Sequence, residues 1–230
     1  THNHACGEIK LTGTISIRSV TAGPLAVNCY LVFNENIKHA LVIDPGGDGP
    51  VILRMAKRYE VKISMIINTH GHCDHIGANS FIRDKTGAKI GIHKLDEPLL
   101  NNTLLNGAQR MCLACPPHTA DFTFEDGDHL QVGGVTLKII HTPGHTNGCC
   151  CFFIEGNDSD TPILFSGDTL FAGGIGRTDY YGGNEAAIYS SLKRLIEEIP
   201  PSTIVYSGHG PACNFGDESE RNPFLLNLIK

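Results

Sequence analysis

The spacing of hydrophobic and polar residues changes several times along the chain, and each change marks an element. From Thr14 to Val20 apolar and polar positions alternate, and Cys29 to Phe33 and Ala40 to Ile43 are short apolar or β-branched runs, so the opening part reads as strands. Asp44-Pro45-Gly46-Gly47 interrupts them as a turn. Pro50 then opens a helix whose apolar residues Val51, Ile52, Met55 and Tyr59 fall at helical spacing. Ile63 to Ile67 reads as a buried strand, and a second helix fits Ala78 to Lys85 and stops at Gly87. Ile90 to His93 is a short strand, Asp96 to Asn106 is expected to be a helix, and a looser Cys- and Pro-containing stretch follows to Thr119.

From Asp126 the pattern returns to β. His129 to Val132, a Gly133-Gly134 turn and Val135 to Ile140 predict a hairpin, with further strands at Cys149 to Ile154 and Ile163 to Phe165. Glu185 to Ile199 predicts a helix, Ile204 to Tyr206 a strand and Pro223 to Ile229 a final helix. Strands, then helix–strand alternation, occur twice, which implies two sheet-plus-helix halves with helices outside and sheets inside. No Pro/Ser-rich linker divides the chain, so residues 1–230 are expected to form one domain.

Composition narrows the function. With 41% hydrophobic and 18% charged residues the chain is globular, and no apolar run approaches the roughly 18 residues of a membrane helix. A formal charge of −6 with scattered Lys and Arg argues against a nucleic-acid partner and against a basic membrane face. Nine Cys, three of them consecutive (Cys149, Cys150, Cys151), suit packing better than pairing in a chain this long, so a reducing, cytoplasmic setting is expected. The first residues show no apolar signal-peptide core.

Twelve His are the more informative excess. Four times an apolar strand ends and a metal-capable side chain follows: Asn68-Thr69 leads to His70, His141-Thr142-Pro143-Gly144 to His145, Ser166-Gly167 to Asp168, and Ser207-Gly208 to His209. In sheets flanked by helices, sites gather where loops leave the strand ends, so these residues are expected on one rim. The segment His70-Gly71-His72-Cys73-Asp74-His75 is a cluster in itself. Its four ligand-type side chains cannot all reach one ion, but His70 and His72 can project together from an extended loop while Asp74 and His75 face a second position. Two ions about 3.5 Å apart would use all four, as in binuclear hydrolases. His145 and His209 would complete one site each, and Asp168 has two oxygens with which to bridge them.

These residues resemble the metallo-β-lactamase superfamily: the H-x-H-x-D-H of His70 to His75, Thr142-Pro143-Gly144-His145-Thr146, Ser166-Gly167-Asp168 and Gly208-His209-Gly210. Asn28-Cys29-Tyr30 and Asp44-Pro45-Gly46-Gly47 are similar to the family's early strand and turn. Gly176-Arg177-Thr178-Asp179 and Asn222-Pro223-Phe224 are similar to its short glyoxalase II-like (hydroxyacylglutathione hydrolase) branch. The resemblance implies an α/β fold, a four-layer αββα sandwich. It also implies two divalent ions per chain, with His70, His72 and His145 on one, Asp74, His75 and His209 on the other, and Asp168 bridging. Zinc is the first expectation, and iron or manganese suits the same ligands.

No Gly-x-Ser-x-Gly elbow or Walker loop is present, so the available nucleophile is water acidified by metal, oriented by Asp74 and directed at a carbonyl carbon. No separate general acid is evident. A thiolate leaves without prior protonation, thiol pKa values being about 8.5, so a small-molecule acyl thioester is the expected substrate. Full-length glyoxalase II enzymes carry a C-terminal helical domain that contacts glutathione. Here the stretch after His209 has room for one helix, which leaves the thiol half open. Arg177, Tyr180 and Tyr181 follow Asp168 closely and can border the pocket, or Arg177 can pair with a carboxylate to fix its loop.

Other readings stay open. A mononuclear iron persulfide dioxygenase shares the fold, although the segment around His209 retains a second site. Lactonase and β-lactamase activities use similar ligands, and a non-catalytic metal-binding scaffold is the reading outside catalysis. Cys112-x-x-Cys115 with His118 is a weak redox or metal motif, and Cys73 lies inside the ligand cluster. His2 and His4 are terminal, and His39, His93, His129 and His141 lack ligand-like neighbours in sequence, His141 being nearest the site.

Overall fold

A computed structural model describes residues 6–10, 15–156 and 161–228; His2 and His4 lie outside the described residues. The first sheet holds seven strands in sequence order: β1 (Cys6–Lys10), β2 (Ile15–Ala22), β3 (Val27–Asn34), β4 (His39–Ile43), β5 (Lys62–Asn68), β6 (Lys89–His93) and β7 (Phe122–Phe124). Strands β1 to β4 pair antiparallel, and β4 to β7 pair parallel. Parallel pairing requires crossovers, which carry α1 (Gly49–Arg58), α2 (Cys73–Ile76), α3 (Asn79–Thr86) and α4 (Ala108–Met111).

The second sheet uses β8 (His129–Val132), β9 (Val135–His141), β10 (Cys150–Ile154) and β11 (Ile163–Gly167). A small ribbon, β12 (Leu170–Phe171) with β13 (Gly174–Ile175), and α5 (Glu185–Glu198) intervene before β14 (Ile204–Ser207) and β15 (Cys213–Asn214) complete it. Helices α6 (Phe215–Arg221) and α7 (Pro223–Leu226) follow. Among the described residues no helix is long and apolar enough to cross a membrane.

The layers follow from period-two burial. Along β3, Cys29, Leu31 and Phe33 pack towards α1 and α3, while Tyr30 and Val32 face the other sheet. Along β10, Cys150 and Phe152 point into the same inter-sheet core and Cys151 and Phe153 point to the α5 side. The expected αββα sandwich is thus present, and consecutive cysteines serve opposite cores as free thiols. Strands β9, β11 and β14 run the same way, so their carboxyl ends share one rim. That rim meets the carboxyl ends of β4, β5 and β6. Cys150 N–H donates to Thr69 O at 2.8 Å, Asn28 N–H to Gly208 O at 2.7 Å, and Tyr30 O–H to Ser207 O at 2.6 Å.

Two expectations need correction. Residues 96–106 form no helix beyond a 3₁₀ turn at Glu97–Asn101. Their polar side chains take the backbone donors a helix needs: Asn102 Oδ1 accepts from Leu104 and Leu105 N–H, and Asn106 Oδ1 from Ala108 N–H. The stretch after His209 carries two helices rather than one. They divide at Asn222, whose Oδ1 caps the second by accepting from Phe224 N–H ahead of Pro223's turn.

At the rim, the His93 ring at the end of β6 stacks on His141 at the end of β9, centroids 4.2 Å apart and 10° from parallel. Leu95 N–H donates to His93 Nδ1, which requires an unprotonated nitrogen there. Burial and the facing His141 lower the His93 pKa to about 4, with Lys94 acting the same way and Glu125 and Asp126 opposing. A depressed histidine pKa means that the unfolded chain binds the proton first as pH falls. Stability is therefore expected to decline from about pH 6.5 towards pH 4. In denaturant titrations across that window, His93→Phe, which keeps a ring in the stack, is expected to show a smaller decline than the parent.

Candidate metal centre

Strand β5 ends in Asn68, and the chain leaves through Thr69 and His70 into an extended loop before α2 starts at Cys73. This puts His70 and His72 on the loop and Asp74 and His75 on the first turn of α2. His145 arrives from the loop after β9, Asp168 directly follows β11, and His209 follows β14. The structure brings all seven together. Three groups have donor atoms mutually within 4.8 Å: His70, His72 and His145; Asp74, His75 and His209; and His70, His75 and Asp168. The third lies across the other two, as a bridging Asp168 requires.

Individual contacts fix the arrangement. His72 Nδ1 lies 2.9 Å from His145 Nε2, and His145 Nε2 lies 3.5 Å from Asp168 Oδ2. Asp168 Oδ1 lies 3.4 Å from His75 Nε2, while His209 Nε2 lies 3.3 Å from Asp74 Oδ2 and 3.7 Å from Asp168 Oδ2. The buried atoms His70 Nε2, His72 Nε2, His75 Nε2 and Asp168 Oδ1 have no hydrogen-bond partner. Buried polar atoms normally find one, and His70 Nε2, His75 Nε2 and Asp168 Oδ1 belong to one metal-capable group, so these orphans fit a cation.

Electrostatics agree with that. Burial and the surrounding imidazoles hold His70 well below its ordinary pKa, and burial and His145 take His72 to about 3. Burial pushes the Asp168 carboxyl up, but His75, His145 and His209 more than reverse this and hold it below the usual range. The same balance of burial against His75 and His209 keeps Asp74 low. His70 and His72 are thus neutral and the carboxylates ionised, the forms that bind metal. Burial lowers His75 and His209 as well, but Asp168, Asp74 and Asp44 outweigh it at His75, and Asp74 and Asp168 at His209. Both are therefore raised and hold protons that a bound cation would displace.

The partners that aim these rings include two carboxylates that local sequence did not single out. Asp44, at the end of β4 with φ 51°, accepts from Thr69 N–H and Oγ–H at 2.8 and 2.6 Å, and its Oδ2 lies 3.0 Å from His75 Nδ1. Asp96 is fully buried: Oδ2 accepts from Gly71 N–H and Thr146 Oγ–H, and Oδ1 from Gly148 N–H, all at 2.7 to 2.9 Å. It therefore ties the His70–His72 loop to the His145 loop. Each is one Asp in a turn, and only its distant partners reveal its use. His145 Nδ1–H donates to Arg177 O at 2.7 Å, which leaves Nε2 free to ligate. Space matters as well, because a Cβ on Gly208 would collide with the Asp168 carboxylate and lie 2.7 Å from His75 Cε1.

Several candidates stay outside the centre. Cys112 is exposed and Cys115 buried, His118 spans Asn79 Nδ2 and Pro116 O, and none joins a metal-capable group among the described residues. Cys73 joins none of the ligand groups and packs in the core with α1 and α3, its thiol pushed up to about 12 mainly by burial. His39 pairs with Ser64 Oγ and His129 is exposed. Arg177 pairs through both nitrogens with Asp179 at 2.6 and 2.7 Å, which fixes its loop. A cavity of about 260 Å³ opens onto His72, Asp74, His145 and Asp168, walled by Leu25, Met111, Arg177 and Tyr180.

Residues 22–209 match the metallo-β-lactamase superfamily model, and the chain belongs to that superfamily. It is 36% identical to an uncharacterized protein of Aquifex aeolicus (93% of this chain, 98% of that one). It is 34% identical to the probable metallo-hydrolase YqgX of Bacillus subtilis (90% and 96%), and 32% identical to the hydroxyacylglutathione hydrolase GloC of Haemophilus influenzae (92% and 97%). Among solved structures it resembles the B3 metallo-β-lactamase BLEG-1 at TM-score 0.84 and 34% identity, covering 91% of this chain and 99% of that one. It also resembles TTHA1623, solved in a di-iron-bound form, at TM-score 0.79 and 34% identity (90% and 99%). The protein is accordingly a metallo-hydrolase of this superfamily.

Asp96 provides a direct check on how the centre is held. Asp96→Asn turns an accepting oxygen into a donor facing Gly71 N–H and Thr146 Oγ–H, or Gly148 N–H. It is expected to weaken zinc binding by about 10–100-fold in competition with a chromophoric chelator, with far-UV circular dichroism retained.

Proposed function

We propose that the protein is a binuclear metal-dependent hydrolase of small-molecule acyl thioesters, resembling hydroxyacylglutathione hydrolase in reaction. The observation that carries this is the convergence of seven ligand-type side chains, with His70 Nε2, His75 Nε2 and Asp168 Oδ1 buried and unpartnered among them. His70, His72 and His145 would hold one ion and Asp74, His75 and His209 the other, with Asp168 between them. Zinc is the first choice, and the di-iron form of TTHA1623 keeps iron in view. When bound, such ions acidify water to a pKa near 7 and polarise a carbonyl oxygen.

The chain's own residues do the rest. Asp74, ionised and partly open to the cavity, accepts a hydrogen bond from the attacking water and fixes its direction. The Arg177 carbonyl holds the His145 ring through Nδ1–H, and Asp44 does the same for His75. Leu25 and Met111 provide an apolar wall that limits water at the acyl carbon. A thiolate needs no proton to depart, which fits a cavity with no evident acid. The setting proposed is the reducing cytoplasm, with one domain acting on small molecules and without nucleic-acid or membrane partners.

The likeness to BLEG-1 supports β-lactam hydrolysis as a second reading. The expected result is close to two metal ions per chain by elemental analysis and turnover of acylthioesters well above that of β-lactams and lactones. Asp74→Ala is expected to lower kcat at least 100-fold while the fold is kept, each general acid–base or orienting role contributing about 10²–10⁴. One iron per chain with no second metal taken up on titration would overturn the binuclear reading, and β-lactam turnover exceeding thioester turnover would overturn the substrate.

A further inference from the structure

Beside the metal centre lies a second cavity of about 350 Å³ that belongs to none of the ligand groups, walled by Leu104, Leu105, Arg110, Asp179, Tyr180 and Tyr181. Tyr180 also walls the cavity over the metal centre, and its ring meets the His72 ring edge-on with centroids 5.9 Å apart. The two spaces are therefore neighbours that share Tyr180 as a wall. Leu104 and Tyr181 are the two most exposed large apolar side chains among the described residues, at 67% and 55%. Both stand on this wall, where a ligand would cover them.

The charge here is unbalanced. Two guanidiniums flank Tyr180, Arg177 at 3.9 Å and Arg110 at 4.8 Å from the ring centroid. Asp179 is engaged through both oxygens by Arg177. Arg110 helps Arg177 hold the Asp179 carboxyl down but makes no ion pair or hydrogen bond of its own among the described residues, so its planar fork lies over an aromatic ring with its donors free. The segment that carries it is firmly placed: Asn106 O accepts from Cys73 N–H at 2.9 Å, next to Asp74, and Asn106 Nδ2 donates to Leu99 O.

We infer that this second cavity receives the thiol half of the substrate and that Arg110 selects a thiol bearing a carboxylate. The inference rests on the thioester reading above and adds what it leaves open. The acyl carbonyl occupies the metal-side cavity, the sulfur passes Tyr180, an apolar or peptide-like stem covers Leu104 and Tyr181, and the carboxylate meets the Arg110 fork. Arg110 is a binding residue that takes no part in bond breaking.

A matched pair tests it: the same acyl group on N-acetyl-cysteinyl-glycine and on its carboxamide, assayed with the metal-loaded protein. The acid is expected to have the higher kcat/KM by about tenfold or more, through KM, as a charge-assisted hydrogen bond provides. Arg110→Gln is expected to bring that ratio near one, and Arg110→Lys to restore part of it. Equal use of acid and carboxamide by the parent, or a preference that survives Arg110→Gln, would overturn the assignment. Calorimetry with the S-methyl thioether of the acid separates the two readings. If neither thioester is turned over but the acid thioether binds in an Arg110-dependent way, the thioester reading falls and the carboxylate subsite stands. If that binding is also independent of Arg110, both fall.

Discussion

Five imidazoles and two carboxylates packed at the seam of two sheets set the terms for the rest of this molecule. Buried polar groups without partners are costly, and like-charged imidazolium rings close together cannot all hold a proton. The cluster persists because its acids and its rings are interleaved: Asp168 faces His75, His145 and His209, and Asp74 faces His209. What remains unmet is a set of lone pairs directed inward. A cation satisfies them at once, so metal affinity and folding stability draw on the same atoms.

Holding such a cluster requires that the sheets stay in fixed relation, and the seam includes side-chain and backbone donors of one sheet bonded to backbone carbonyls of the other. Asn28 and Tyr30 of the first sheet reach the Ser207–Gly210 turn of the second, and Cys150 of the second reaches Thr69 of the first. Asp44 and Asp96 work by the same logic within the loops. Each carboxylate collects backbone and hydroxyl donors from segments far apart in sequence, then positions a ligand or the loop that carries it. The price is rigidity in the surrounding turns, with Asp44 held in the left-handed region.

The ligands were legible because metal chemistry leaves dense local marks. Three His and an Asp within six positions, and His or Asp soon after an apolar strand, can be read without a partner in view. Alternation marked β2, apolar or β-branched runs marked β3 to β5, β10 and β11, and the Gly133-Gly134 turn marked the β8–β9 hairpin. The opposite facing of adjacent strand residues foretold the opposed packing of Cys150 and Cys151. Asp44 and Asp96 were hidden because a turn Asp ordinarily bonds its own backbone. Their partners, such as Thr69 for Asp44 and Gly148 for Asp96, are set by the tertiary fold. The helix expected over 96–106 failed for a related reason. Its apolar spacing is compatible with a helix, but Asn102 and Asn106 each offer a side-chain oxygen to the backbone N–H groups that helix formation would use.

Charge distribution links that irregular segment to substrate choice. The chain carries a formal charge of −6, so a distant anion meets a repulsive field. Within about one Debye length, roughly 8 Å at physiological ionic strength, local charges dominate. There an anion encounters Arg110 beside the metal-capable centre. A regular helix over 96–106 would place its side chains by helical periodicity alone. The turns instead set Leu104 and Leu105 on the cavity wall and anchor Asn106 to the backbone of Cys73, so the segment that departs from regular structure carries both the apolar ledge and, four residues later, the guanidinium. In the proposed reading, specificity for the leaving half resides in a loop braced against the turn that carries Asp74, where it can diverge without disturbing the seven ligand-type residues.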